Sequence, residues 1–217
     1  MGSIVQNSYA VIVANGEACS LQLTTKVLSE AAFVIVLDGA MHRFLELNVH
    51  ANVLLGDFDR NEHAFEELNE RFPALEIIHT PDQEATDFEK GVHYAEQLGY
   101  EAIIVLWATG KRADHSFTNI ANLIRFNPSL SIQLVDDYSV IYRLPKVFEK
   151  HFEKGSIVSL VPIGKVEGIT TENLKYPLTN ESLELGVRNG NSNEAAESGI
   201  VKISYQTGEM LLMECHD

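Results

Sequence analysis

The chain has 217 residues, enough for one large domain or two small ones. Hydrophobic residues make up 45% and charged residues 22%, so a sizeable core can form and the chain as a whole does not read as disordered. The formal charge of -15, from 16 Lys+Arg against 31 Asp+Glu, excludes nucleic acid and anionic membranes as natural partners. An anionic substrate therefore has to bring a metal ion or meet a local basic cluster.

The chain opens with MGSIVQNSYAVIVANG, which has neither a basic stretch nor a long apolar one, so no secretory signal is expected. Gln6 stands where a myristoylation signal wants Ser or Thr. No apolar run approaches the roughly 20 residues needed to span a membrane. Cys19 and Cys215 lie near opposite ends and form no zinc spacing, which fits a reduced protein of the cytoplasm.

Short apolar runs rich in Val, Ile and Leu follow at 9–14, 33–37, 52–55, 75–78, 102–107 and 131–135, each the length of a buried strand. Helix-like stretches lie between them. ATDFEKGVHYAEQLG places Phe88, Val92, Ala95 and Leu98 at helical spacing and then stops at Gly99. DHSFTNIANLIRF places Phe117, Ile120, Ala121 and Ile124 on one face, and the acidic NEHAFEELNE reads as a solvated helix face. Strands alternating with helices predict an α/β domain, a mostly parallel sheet with helices on both faces, over residues 1–137.

After Asp137 the period moves toward two. SVIYRL and GSIVSLVPI read as strands, and GIVKISY and EMLLMEC as a hairpin joined through Gln206, Thr207 and Gly208. A smaller all-β domain is expected over residues 138–217.

In an open α/β sheet, ligands collect beyond the carboxyl ends of the strands. Four polar clusters follow such runs: Asp38-Gly39; Asp57 and Asp59 in LLGDFDRN; Asp82, Gln83, Thr86, Asp87 and Lys90 in PDQEATDFEK; and Thr109, Gly110, Lys111, Arg112, Asp114 and His115 in ATGKRADH. Each alone has a structural reading, as a turn or a helix cap. Together they converge on one sheet edge, and converging carboxylates repel unless a cation sits among them. Magnesium takes carboxylate, phosphate and water oxygens, which Asp57, Asp59 and Asp87 can supply. Lys90, Lys111 and Arg112 add the positive charge a phosphate chain needs, and Gly110 lets backbone amides approach it. Neither a Walker A loop nor a Gly-x-Gly-x-x-Gly fingerprint occurs. The spacing points to a magnesium-dependent phosphotransferase.

DGA at 38–40, GDFD at 56–59, PDQEATDFEKG at 81–91, ATGKRADH at 108–115 and GNSNEA at 190–195 together resemble the thiamin pyrophosphokinase family, with motifs in the same order across almost the whole chain. The resemblance implies transfer of a pyrophosphoryl group from ATP to the hydroxyethyl oxygen of thiamin, giving thiamin diphosphate and AMP. It also implies an α/β domain with a C-terminal β-sandwich, and a homodimer with active sites at the interface. By resemblance Asp57, Asp59 and Asp87 hold Mg²⁺, with Lys90 beside them, and Gln83 and Lys90 contact the phosphates. Asp38, Thr109, Gly110, Arg112, Asp114 and His115 bind ATP, while Ser192 and Asn193, from the partner subunit, contact thiamin. His115, in the first turn of a helix, has a simpler reading as a backbone hydrogen-bonding residue.

Two departures stand out. Many relatives read Gly-Gly-Arg where this chain has Gly110-Lys111-Arg112, so Lys111 either adds a phosphate contact or, the simpler expectation, points to solvent. Glu194, Ala195 and Ala196 follow the Ser-Asn pair where some relatives carry a ring that stacks on thiamin; Tyr176 and Trp107 are the candidate substitutes. Two other readings compete: a Mg²⁺–ATP kinase that transfers only the γ-phosphoryl group and makes ADP, and a non-catalytic thiamin- or nucleotide-binding protein.

Overall fold

The computed structural model describes residues 8–58, 72–82 and 84–216. Asp59, Gln83 and the NEHAFEELNE segment lie outside the described residues. The chain forms two compact units, residues 8–119 with Ser129–Asp137, and Ile120–Pro128 with residues 138–216.

The first unit is built on β1 (Ala10–Val13), β2 (Phe33–Leu37), β3 (Val53–Gly56), β4 (Glu76–His79), β5 (Ala102–Leu106) and β6 (Ser131–Val135), in the order β4-β3-β2-β1-β5-β6. Every pairing among them is parallel. β1 and β3 are buried along their whole length, which is why their sequences are apolar runs rather than alternating ones. The helices are α1 (Leu21–Ser29), α2 (Met41–Glu46), α3 (Asp87–Gln97) and α4 (Ala113–Asn122), with a 3₁₀ turn at Asp38–Ala40. α3 packs on β1, β2 and β3. Its buried side chains Phe88, Val92 and Ala95 match the expected face, and it ends before Gly99 at φ +87°. α4 departs from expectation: Phe117 is 62% exposed and Asn122 is the helix's buried residue. Helical spacing identifies a face but not what covers it.

The second unit contains β7 (Ser139–Arg143), β8 (Val147–Phe152), β9 (Ile157–Glu172), β10 (Glu181–Glu184), β11 (Gly190–Glu194), β12 (Gly199–Ser204) and β13 (Thr207–Cys215). β9 serves two layers. Its first half pairs β13 and β11, and its second half pairs β10 and β12. Val158 and Leu160 of the first half and Val166 and Ile169 of the second meet Val201, Ile203, Met210 and Leu212 in one apolar cluster, the core of a β-sandwich.

The expected hairpin across residues 206–208 does not form. β12 pairs β8 and β9, whereas β13 pairs β7 and β9. The chain changes layers there because the Gln206 amide donates to Glu167 O at 2.9 Å, holding the turn over β9 instead of folding β13 back on β12. β8, too charged in VFEKHF to show a strand pattern, is an element the sequence did not disclose.

Candidate active site

The strand order reverses at β1, where the chain leaves toward β2 on one side and β5 lies on the other. A parallel sheet opens a crevice at such a point, beyond the carboxyl ends of the strands. Here the loops after β1 and β5 are tied across it by backbone bonds from Ala14 N to Leu106 O at 2.9 Å, Gly16 N to Trp107 O at 2.6 Å and Glu17 N to Thr109 O at 2.6 Å. The approach is close enough to require glycine. A Cβ on Gly16 would lie 2.2 Å from the Thr109 carbonyl oxygen.

A cleft of about 620 Å³ lies along this edge, of the size that holds a nucleotide-sized ligand. Of the residues expected from sequence, Asp38, Asp57, Asp87, Lys90, Gly110, Arg112 and His115 line it. They reach it from different elements, at the ends of β2 and β3, from the start of α3, from the loop between β5 and α4, and from the first turn of α4.

Gly56, Asp57 and Phe58 of the GDFD segment each have a distinct place. Gly56 is obligatory because a Cβ there would lie 2.4 Å from the Asp38 carboxyl carbon. Phe58 turns into the core, 2% exposed, with a left-handed backbone at φ +57°. Its amide donates to Asp38 Oδ2 at 3.1 Å, and His79 Nε2 bonds the Asp57 carbonyl at 3.1 Å. Asp57, between an obligatory glycine and a core anchor, is presented to the cleft.

α3 begins with a complete capping box. Thr86 Oγ1 accepts from Glu89 N at 3.3 Å, and the Glu89 carboxylate accepts from Thr86 N at 3.0 Å. Thr86 therefore caps the helix, so that task does not fall to Asp87. Lys90, one helical turn on, donates to Thr80 O at 3.0 Å and stands 3.5 Å from Asp87 Oδ1.

Burial pushes the Asp38 carboxyl up, the Phe58 and Gly39 amides hold it down, and Asp57 raises it further. Burial and the charge of Asp38 push Asp87 up, Lys90 draws it down, and Asp57 raises it again. The carboxylates thus sense one another across the cleft. Among the described residues no three such groups form a ready-made metal cage. What the three aspartates provide is an oxygen-donor set whose mutual repulsion a divalent cation would relieve.

Other expected residues lie elsewhere. Thr109 donates to Asp136 Oδ2 at 2.6 Å and is not among the cleft's lining residues. Asp114 is held by Arg112 through bonds of 3.1 and 2.5 Å, which keep its carboxyl down at about 2. Ser192 and Asn193 belong to the second unit. Ser192 is exposed with φ +55°, and its amide donates to Ser159 Oγ at 2.9 Å. The Asn193 side chain is spent on the Tyr176 backbone, accepting from its N–H at 3.0 Å and donating to its carbonyl at 2.8 Å. Trp107 is 2% exposed and donates to Thr24 Oγ1 at 3.4 Å, so it is core; Tyr176 is 60% exposed.

Sequence reasoning missed Asn15 and Gly16, which line the cleft at the end of β1. The rule that singled out the other strand ends applied equally to this one. It also missed Asn119, which lines the cleft and whose Nδ2 donates to Ala108 O, another lining residue, at 2.8 Å.

Residues 24–134 match the model of the family described as thiamin pyrophosphokinase, catalytic domain, and residues 146–209 match that of thiamin pyrophosphokinase, vitamin B1 binding domain. The chain is 27% identical over 202 residues to thiamin pyrophosphokinase 1 of Caenorhabditis elegans, covering 86% of this chain and 81% of the relative. It is 27% identical over 212 residues to the thiamine pyrophosphokinase of Bacillus subtilis, covering 95% and 98%. The crystal structure of thiamine pyrophosphokinase from Bacillus subtilis superposes with a TM-score of 0.82 over 97% of this chain and 100% of that one, at 24% identity, a likeness of fold.

Proposed function

This chain belongs to the thiamin pyrophosphokinase family and is an enzyme of that kind, and from that premise we propose how its cleft works. ATP binds in the first unit with its polyphosphate over Asp38, Asp57 and Asp87. Thiamin is held by the second. Residues 1–137 form the catalytic part and residues 138–217 the thiamin-binding part. The hydroxyethyl oxygen of thiamin attacks the β-phosphorus of ATP, and thiamin diphosphate and AMP are released.

The observation that carries this reading is the convergence of Asp38, Asp57 and Asp87 on one cleft with Lys90, inside the segment matched by the catalytic-domain model. The donor set fits Mg²⁺, which Asp57 and Asp87 would hold, with Asp59 of the same motif as the further ligand. Bound there, Mg²⁺ supplies neutralisation of the triphosphate and of the charge that grows on the bridging oxygen. The chain's own residues supply position and charge. Lys90, fixed by Thr80 and Asp87, presents its ammonium to the phosphates. Arg112, oriented by Asp114, offers a guanidinium to the same cleft. Gln83, Gly110 and His115 complete the nucleotide contacts, with Thr109 supporting them through Asp136.

Asn193 acts by holding Tyr176, whose exposed ring is the described aromatic best suited to stack on thiamin; Ser192 stands beside it on the same strand segment. The protein works as a cytoplasmic homodimer, its thiamin residues serving the partner's cleft. Among the described residues no helix is long and apolar enough to cross a membrane.

Incubation with ATP, thiamin and Mg²⁺ tests the reading. Thiamin diphosphate forms with Mg²⁺ and not after chelation; binding of both ligands without product would overturn it in favour of a sensor.

A further inference from the structure

β4 ends at His79, and neither His79 nor Thr80 after it is among the residues lining the cleft. Both nevertheless hold the turn that presents Asp57. The Thr80 amide donates to Gly56 O at 2.8 Å, and His79 Nε2 lies 3.1 Å from Asp57 O. A carbonyl oxygen only accepts, so the ring nitrogen is the donor in this bond. The imidazole also packs against Phe58, with ring centres 6.2 Å apart.

These contacts converge on one peptide unit. The plane joining Asp57 to Phe58 is held at its N–H end by Asp38 Oδ2, 3.1 Å from Phe58 N, and at its C=O end by His79. The hold matters because the plane is not in its easiest orientation. Phe58 has φ +57°, in the left-handed region, where the Cβ of a bulky residue crowds the backbone. Relief of that crowding turns φ negative, which swings the Asp57 carbonyl away from His79 and the Phe58 amide away from Asp38. Strained backbone of this kind persists only where its surroundings hold it, and it concentrates at functional sites.

We propose that His79 is a positioning residue for the reaction. By holding the Asp57 carbonyl from outside the cleft, it preserves the left-handed turn and with it the direction in which the Asp57 carboxylate enters the cleft. The same segment reaches Lys90, whose ammonium donates to Thr80 O at 3.0 Å, so the end of β4 keeps the Asp57 turn and that lysine in one register. The assignment rests on reading the cleft as a metal–nucleotide site and extends it to a residue outside the lining.

The test compares His79→Phe, which keeps a flat ring against Phe58 and loses the donor, with His79→Gln, which keeps an N–H donor near the position of Nε2. His79 is exposed, so both variants retain the fold. Mn²⁺ alone is titrated into each full-length protein by calorimetry. It binds about tenfold more weakly to His79→Phe, the order seen when a partner of a metal ligand is removed, and His79→Gln recovers most of the affinity. In an Asp57→Asn background His79→Phe has no further effect, because its action runs through Asp57. Wild-type affinity in His79→Phe, equal losses in the two variants, or an undiminished further loss in the Asp57→Asn background overturns the assignment. The wider reading fails differently: wild-type protein that binds no Mn²⁺ removes the metal site, and the assignment with it.

Discussion

Phe58 and Asp38 are joined by a hydrogen bond of 3.1 Å, from the amide of the one to the carboxylate of the other. The bond ties the turn after β3 to the residue at the end of β2. It fixes where Asp57 points, because Phe58 is at once locked into the core and tethered to Asp38. The same bond brings two carboxylates together, which folding alone would avoid.

Asp57→Asn tests whether that proximity serves chemistry. The amide keeps the shape and removes the charge, so the fold is retained and the melting temperature holds or rises as repulsion with Asp38 falls. Turnover drops at least about a hundredfold, the order expected when a group stabilising transition-state charge is removed. Steady-state assay beside a thermal melt checks both halves.

The carboxylates also set a pH dependence. Asp38 and Asp87 are raised in the folded protein. A raised group contributes stability that is present below its unfolded value and lost as pH rises through its folded one. Metal-free protein is therefore expected to lose stability as pH climbs upward from the ordinary carboxylate range. Mg²⁺ offsets that loss, so its stabilising effect in thermal melts is larger at pH 8 than at pH 5. Equal stabilisation at both pH values would count against a carboxylate site.

Gly16→Ala places a methyl group 2.2 Å from one backbone carbonyl and 2.4 Å from another. Neither atom belongs to a flexible side chain, so the loops after β1 and β5 have to part. The expected cost is about 1–3 kcal/mol in urea unfolding, with weaker nucleotide binding because Asn15 moves with the loop.

Thr86→Ala removes the side-chain half of the capping box and is expected to destabilise the protein by about 1 kcal/mol. Thr86→Ser restores most of it. Because α3 carries Asp87 and Lys90, the alanine variant also raises the KM for ATP, measurable beside the unfolding curve.

Much of this was legible in the sequence because the first unit follows simple rules. Fully buried parallel strands give unbroken apolar runs, and β2 and β6 fall on the residues expected. The acidic clusters were visible because they interrupt those runs at one end. Asn15 was overlooked because a lone Asn-Gly after a strand reads as a turn; the bond that holds its side chain comes from Arg43, 28 positions along the chain. The false hairpin at 206–208 has a similar cause. Local turn residues were right for a reversal, but β9 offered both strands better partners than each other. Asn193 was named through the resemblance of GNSNEA to a family motif, and the fold spends its side-chain amide on Tyr176, a relation that spacing does not encode.

The most direct test of the central claim follows the phosphorus atoms. ATP labelled at the β-phosphorus is incubated with the enzyme, thiamin and Mg²⁺, and products are separated. The account predicts label in thiamin diphosphate and none in AMP, with the two products formed in equal amounts. Labelled ADP accompanied by unlabelled thiamin monophosphate would contradict it.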